Sequence, residues 1–269
     1  MRLTFTKMNG AGNDFVLLDN RSRAISLSRE QIARLCDRHR GVGADGLLLA
    51  EPPATAGAQL RMRYYNSDGG EAEMCGNGAR CFARFAQRLG ACRDRLAFDT
   101  AAGLVGATFE GERVRVAMSE PHDLRLDEKL TLSWGETMVH SVNTGVPHAV
   151  VLVEDVGQVD VTGVGREIRR HVRFASAGTN ANFVQRLPDG MIRVRTYERG
   201  VEAETLACGT GVTASALVAH VRLGMASPVA VRVQGGDTLE VTFRREDDRF
   251  SDVCLVGPAD FVFEGMVEI

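Results

Sequence analysis

The sequence predicts a mixed α/β protein of the α+β kind, built from two pseudo-symmetric halves. Three observations carry that prediction: an internal repeat, many short strand-like runs between turn residues, and two helical patterns in each half. The repeat pairs GGEAEMCGNGARCFARFAQRLG, Gly69 to Gly90, with GVEAETLACGTGVTASALVAHVRLG, Gly200 to Gly224. Glu71-Ala72-Glu73 returns as Glu202-Ala203-Glu204, and Cys75-Gly76-Asn77-Gly78 returns as Cys208-Gly209-Thr210-Gly211. A second pair keeps the same offset: Gly12-Asn13-Asp14-Phe15 leads into VLLD, and Gly145-Val146-Pro147-His148 leads into AVVLVED. Two segments sharing one offset mark a duplication, with residues 1–118 as one half, 119–258 as the other, and the two facing each other.

Along the chain, LTFTKM and FVLLD read as a hairpin around the NGAGN loop. Ser28 opens SREQIARLCDRH with Gln31 three residues on, a capping box, and Ile32 and Leu35 follow at helical spacing. Further strands are expected at 46–51, 60–66, 95–100 and 113–119, then at 137–143, 149–154, 181–186, 191–198, 229–233, 238–243 and 252–256. Each Cys-Gly-x-Gly runs straight into a helical pattern whose small and apolar residues (Ala79, Phe82, Ala83, Phe85, Ala86 and Leu89; Val212, Ala216, Leu217 and Val221) predict a helix buried in the centre of its half. The basic run 166–173, REIRRHVR, reads as a solvated helix face, and the polar stretch from Glu120 to Leu130 as a linker between the halves.

Composition narrows the function. The 269 residues are 44% hydrophobic and 25% charged, which excludes a disordered tail or a fibre. A net charge of -3 and a pI near 6.1 argue against a nucleic-acid partner. The longest wholly apolar run, AVVLV at 149–153, is far short of the roughly 20 residues that span a bilayer. The opening MRLTFTKMNG has no signal-peptide core, so a cytoplasmic location is expected, where thiols stay reduced. The six cysteines show no CxxC and no zinc-finger spacing, so neither a disulfide framework nor a metal site is expected.

Two of those cysteines stand where a thiolate is favoured. Cys75 and Cys208 each precede a buried helix, where free amides and the positive end of the dipole favour an anion, either the thiolate or a substrate carboxylate. One cysteine so placed could equally be structural. Both copies keep Cys-Gly-x-Gly while the rest of the helix diverges, which weighs for function; Cys36, Cys81, Cys92 and Cys254 have no such context.

A pair of thiols in pseudo-symmetric halves suits inversion at carbon, one removing a proton from one face and the other donating to the opposite face. Pyridoxal phosphate would need a Schiff-base lysine. The only lysines are Lys7, in a predicted strand, and Lys129, in LDEKL; neither suits that role, and no cofactor is expected.

The motifs GAGNDF, YYNSDGGEAEMCGNGAR, NTGVPHAV, TNANFV and YERGVEAETLACGTG resemble those of the diaminopimelate epimerase family. The resemblance implies two α/β halves, each a sheet wrapped around a central helix, with the site in the cleft between them. It implies interconversion of LL- and meso-diaminopimelate on the way to lysine and peptidoglycan, with Cys75 and Cys208 as the acid and base. Gly76, Asn77, Gly209 and Thr210 would hold the α-carboxylate. Asn13, Asn66, Asn180, Glu198 and Arg199 would hold the rest of the substrate, and His148 and Glu198 would stand near the cysteine pair. The family pattern also returns the last strand, 259–269, to the first half, where its edge offers a homodimer contact.

Elementary chemistry supports part of this. Adjacent Glu198 and Arg199 offer opposite charges to a distal ammonium and carboxylate, and Asn side chains both donate and accept. Taken alone, the Glu-Arg pair is as readily a surface pair, and Asn beside Gly is as readily turn chemistry. The chain departs from the family at Val146, where many members have Asn, at Gly46, where some have Gln, and at Thr210, where Ser is frequent. These changes bear on fine substrate contacts. Two other readings remain open: a proline or hydroxyproline racemase of the same fold, and a non-catalytic thiol redox or binding protein.

Overall fold

The computed structural model describes residues 1–72, 74–133 and 135–269, so Glu73 of the repeat lies outside the described residues. The first stretch runs β1 (Arg2–Gly10), β2 (Asn13–Asp19), α1 (Arg29–Cys36), β3 (Gly46–Glu51), β4 (Leu60–Asn66), β5 (Glu71–Ala72), α2 (Gly76–Arg88), β6 (Arg95–Thr100), β7 (Gly103–Glu110) and β8 (Arg113–Ala117). The second runs β9 (His122–Leu132), β10 (Gly135–Asn143), β11 (Pro147–Leu152), α3 (Val161–Arg170), β12 (Asn180–Arg186), β13 (Ile192–Glu198), β14 (Ala203–Thr205), α4 (Gly209–Leu223), β15 (Val229–Arg232), β16 (Thr238–Glu246) and β17 (Arg249–Pro258). A last strand, β18 (Asp260–Glu268), follows. The chain forms two units, Met1–Ala117 with Gly257–Ile269, and Met118–Val256.

Each unit repeats one order of strand senses. In the first, β18 and β1 pair antiparallel, β1 and β2 antiparallel, β2 and β3 parallel, and β3 and β4 antiparallel. Then β4 pairs parallel with β6, which continues antiparallel through β7 to β8. In the second unit β9, β10, β11, β12, β13, β15, β16 and β17 follow the same succession of senses. This is a mixed α+β fold with much sheet and few helices.

Strand periodicity explains the apolar runs. On β2, Phe15 and Leu17 turn to one core and Val16 and Leu18 to another; on β3, Leu48 and Ala50 face the first and Leu47 and Leu49 the second. A sheet covered on both faces needs apolar residues at consecutive positions, hence FVLLD and GLLLA. Helix α2 covers one face and touches β1, β2, β3, β4, β6 and β8. It is buried from Gly76 to Ala83 and again at Phe85 and Ala86. Phe82 stacks on Phe98 at 5.0 Å, and each such buried ring contributes about 1.5–3 kcal/mol. Helix α1, on the other face, carries both bonds of the expected capping box between Ser28 and Gln31. Helix α4 is buried over Gly209 and Gly211–Ala219, a stretch of small and apolar residues interrupted by Thr213 and Ser215.

Two expectations need correction. The polar stretch from Glu120 to Leu130 is not a linker: β9 runs through it, paired antiparallel with β10. From Leu124 on, its even-numbered residues turn inward, with Leu130 and Leu132 buried, while charged Arg125, Asp127 and Lys129 face solvent. The basic run 166–173 is not simply solvated either. Arg169 pairs with Glu202 at 3.0 Å and Arg173 pairs with Glu128, because the helix ends at Arg170 and turns the remainder of the run onto β9.

Candidate active site

In the first unit, Cys75 is the N-cap of α2, with an extended backbone (φ -136°, ψ 120°). Its Sγ accepts from the Gly78 amide at 3.5 Å, the place where a capping oxygen would sit. A sulfur accepting there gains most when it is ionised. Gly76 and Asn77 form the buried first turn. Asn77 donates through Nδ2 to Asn13 Oδ1 at 2.8 Å, and Asn13 donates through Nδ2 to Asp45 Oδ2 at 2.8 Å. The two contacts fix which way the Asn13 carboxamide faces.

Behind Asn77 lies Arg80, wholly buried, donating to Asn77 Oδ1 at 3.0 Å and to the carbonyls of Gly10, Gly76 and Pro258. On the other side Asp14 joins Lys7 and Arg38, each at 2.7 Å. Burial pulls the Asp14 carboxyl upward, but hydrogen bonds and charge from Arg38 and Lys7 outweigh it and hold it well below the usual carboxylate range. Lys7 is thus engaged by Asp14 and the Gly43 carbonyl.

Asn66 ends β4 opposite Gly46, and Gly46 in turn lies opposite Phe15 on β2. Register therefore puts Asn66 and Asn13 at the same end of the strands as the start of α2. Asn66 Oδ1 accepts from the Tyr64 hydroxyl at 2.8 Å. A Cβ at Gly46 would meet Tyr64 Cε2 at 2.7 Å and the Tyr65 carbonyl at 2.6 Å, so no side chain fits there while the Tyr64 ring is in place.

In the second unit Cys208 is the N-cap of α4, again extended (φ -121°, ψ 108°). Its sulfur lies 3.6 Å from Thr210 Oγ1, and the Thr210 carbonyl accepts from Thr144. Register brings the other candidates together as in the first unit. His148 on β11 lies opposite Asn180 on β12, and Ala181 lies opposite Tyr197, so Asn180 sits beside Glu198 at the end of β13.

Asn180 Oδ1 accepts from the Arg199 amide at 2.8 Å, and its Nδ2 donates to the Pro147 carbonyl at 3.1 Å. Glu198 accepts from the Thr205 hydroxyl at 3.0 Å, while the Arg199 guanidinium donates to the Ala177 carbonyl. His148 is buried; that burial, followed by the positive charge of Arg199, pushes its imidazole down to about 3, so it is neutral. Away from the helix starts, burial pushes the Cys36 thiol up to about 11 and the Cys81 thiol up to about 12.

The structure therefore assembles Cys75, Gly76, Asn77, Asn13 and Asn66 in one unit, and Cys208, Gly209, Thr210, His148, Asn180, Glu198 and Arg199 in the other. Three supporting residues are not apparent from the sequence: Asp45, Tyr64 and Arg80. Arg80 stands inside the CGNGAR motif, where a charge amid apolar helix residues was the available signal. Asp45, in the loop before β3, meets Asn13 only in the folded chain, and Tyr64 bonds Asn66 two residues along its own strand.

Comparison with known proteins identifies the family and the fold. A family model described as diaminopimelate epimerase matches residues 5–123 and 140–262. The chain is 43% identical, over 98% of its length and 97% of the relative's, to a diaminopimelate epimerase of Aquifex aeolicus (strain VF5). Among solved structures, it resembles a PhzF-family phenazine biosynthesis protein of Bacillus anthracis (TM-score 0.76, 15% identity, all of both chains). It also resembles a hydroxyproline epimerase of Agrobacterium vitis with bound trans-4-hydroxy-L-proline (TM-score 0.74, 17% identity, 99% of this chain and 92% of that one). The last two likenesses are of fold.

Proposed function

Because the chain belongs to the diaminopimelate epimerase family, we propose that it interconverts LL- and meso-2,6-diaminopimelate, a step toward lysine and peptidoglycan precursors. The observation that carries this reading is the pair of cysteine N-caps, Cys75 and Cys208, each with an extended backbone at the start of a buried helix.

In one direction the Cys75 thiolate takes the α-hydrogen as a proton, breaking C–H and forming S–H. The Cys208 thiol gives its proton to the opposite face, forming the new C–H bond and leaving a thiolate. No proton is gained or lost overall, and the reverse direction exchanges the roles. Charge that develops on the α-carboxylate is met by the amides of Gly76, Asn77, Gly209 and Thr210, already oriented by their helices. Asn13, Asn66, Asn180, Glu198 and Arg199 hold the substrate, with the Glu198-Arg199 pair matching the distal ammonium and carboxylate. His148 and Glu198 support the cysteine pair.

The chemistry needs both thiols reduced, which favours the cytoplasm. A homodimer is supported by β18, which leaves Val262, Phe263 and Met266 exposed at 56%, 49% and 61%. Sedimentation velocity of the wild type and of Met266→Glu tests it: the wild type should run as a dimer and the variant as a monomer.

The reaction is tested by incubating purified protein with LL-diaminopimelate in deuterium oxide without added cofactor. Formation of the meso isomer with deuterium at the α-carbon is the expected result; turnover of proline in its place would overturn the assignment. Cys75→Ala and Cys208→Ala should each lower kcat by about 10²–10⁴-fold or more while circular dichroism stays unchanged. Full activity in either variant would sink the two-thiol mechanism.

A further inference from the structure

A buried hydrogen-bond chain behind the second half-site leaves little freedom to the His148 ring. Asn182, the third residue of β12, is wholly buried. Its Nδ2 faces the Ala149 carbonyl at 2.9 Å and His148 Nδ1 at 3.1 Å, and its Oδ1 accepts from the Thr196 hydroxyl at 3.0 Å. A backbone carbonyl only accepts, so the atom facing Ala149 must be the NH2 group and the carboxamide has one orientation. The second hydrogen of that NH2 then points at His148 Nδ1, which must accept. The ring hydrogen of a neutral imidazole is left on Nε2. That Nε2 is buried and has no hydrogen-bond partner among the described residues.

From this geometry we infer that Asn182, locked by Thr196 and Ala149, is a positioning residue that holds His148 in the Nε2–H tautomer. His148 then presents a neutral donor to an anionic oxygen or sulfur. It does not act as a base through Nε2, because that nitrogen already carries the proton and the only lone pair is tied to Asn182. Burial and the charge of Arg199 also oppose protonation of the ring. A buried donor without a partner is costly, and an anion delivered with the reaction would recover that cost. Gly211 completes the arrangement: a Cβ there would strike Asn182 Oδ1 and lie 3.3 Å from Cys208 Sγ, so a bare residue on α4 lets the helix carrying Cys208 close on Asn182.

The tautomer does not depend on the proposed reaction; the donor's role in that reaction does. Two-bond nitrogen–proton correlation spectra of the whole protein, labelled with ring-¹⁵N histidine, read the tautomer directly, with His148→Gln identifying the His148 signals among the six histidines. The expected pattern at neutral pH is a protonated Nε2 and an unprotonated Nδ1. A protonated Nδ1, or an imidazolium, at His148 of the wild type would overturn the inference. Asn182→Asp, which can only accept, should move the hydrogen to Nδ1; an unchanged tautomer in a folded Asn182→Asp protein would also overturn it. If the Nε2–H tautomer is found and diaminopimelate is not turned over, the inference stands and only the proposed reaction fails.

Discussion

Arg80 shows how much a single buried side chain can organise. Its guanidinium serves the carbonyls of Gly10, Gly76 and Pro258 together with Asn77 Oδ1, and so ties β1, the first turn of α2 and the lead-in to β18 together within the first unit. Arg80→Met keeps much of the volume and removes every donor. It should lower the free energy of urea unfolding by about 3 kcal/mol or more, since each stranded buried acceptor costs about 1–3 kcal/mol. His148 makes a second residue-level prediction. Its folded imidazole titrates near 3 against 6.5 ordinarily, so below about pH 6.5 the unfolded chain binds a proton that the folded chain refuses. Stability should therefore fall as pH drops from about 6.5 toward 3, and His148→Gln should flatten that dependence in urea midpoints taken at several pH values. Some slope should persist, because burial lowers His140 as well.

At the level of elements, what the sequence disclosed depended on whether a pattern was local. Helices α2 and α4 announce themselves because a run of small and apolar residues directly follows each Cys-Gly-x-Gly, and the Ser28 capping box needs only four consecutive residues. Strand β9 did not, since Arg125, Asp127 and Lys129 alternate with the inward leucines and the segment looks merely polar. Asn182 and Thr196 were hidden for a different reason: each is an ordinary polar residue on its own strand, and only the antiparallel register of β12 with β13 pairs them. Tyr64 over Gly46 is likewise a cross-strand relation. The first turn of α4 leaves no room for even a methyl group at Gly211. Gly211→Ala should destabilise the protein by about 1–3 kcal/mol through overpacking against Asn182, and a loss of epimerase turnover should accompany the shift in unfolding midpoint.

For the whole molecule, the duplication was legible as paired motifs, and the structure extends it to the succession of strand senses in both units. The pairing of β18 with β1, from Arg2↔Glu268 to Asn9↔Asp260, could be drawn only from family likeness, because no local pattern in 260–268 says which strand it joins. Phe261 on that strand lies under the Arg88 guanidinium at 4.3 Å, adding a contact to α2. This closing strand imposes an order on biosynthesis. The unit Met118–Val256 is one continuous stretch, whereas its companion needs residues from both extremes of the numbering. As the polypeptide leaves the ribosome, β1 must wait with an open edge until residues 260–268 have emerged, so the portion translated first is the portion finished last.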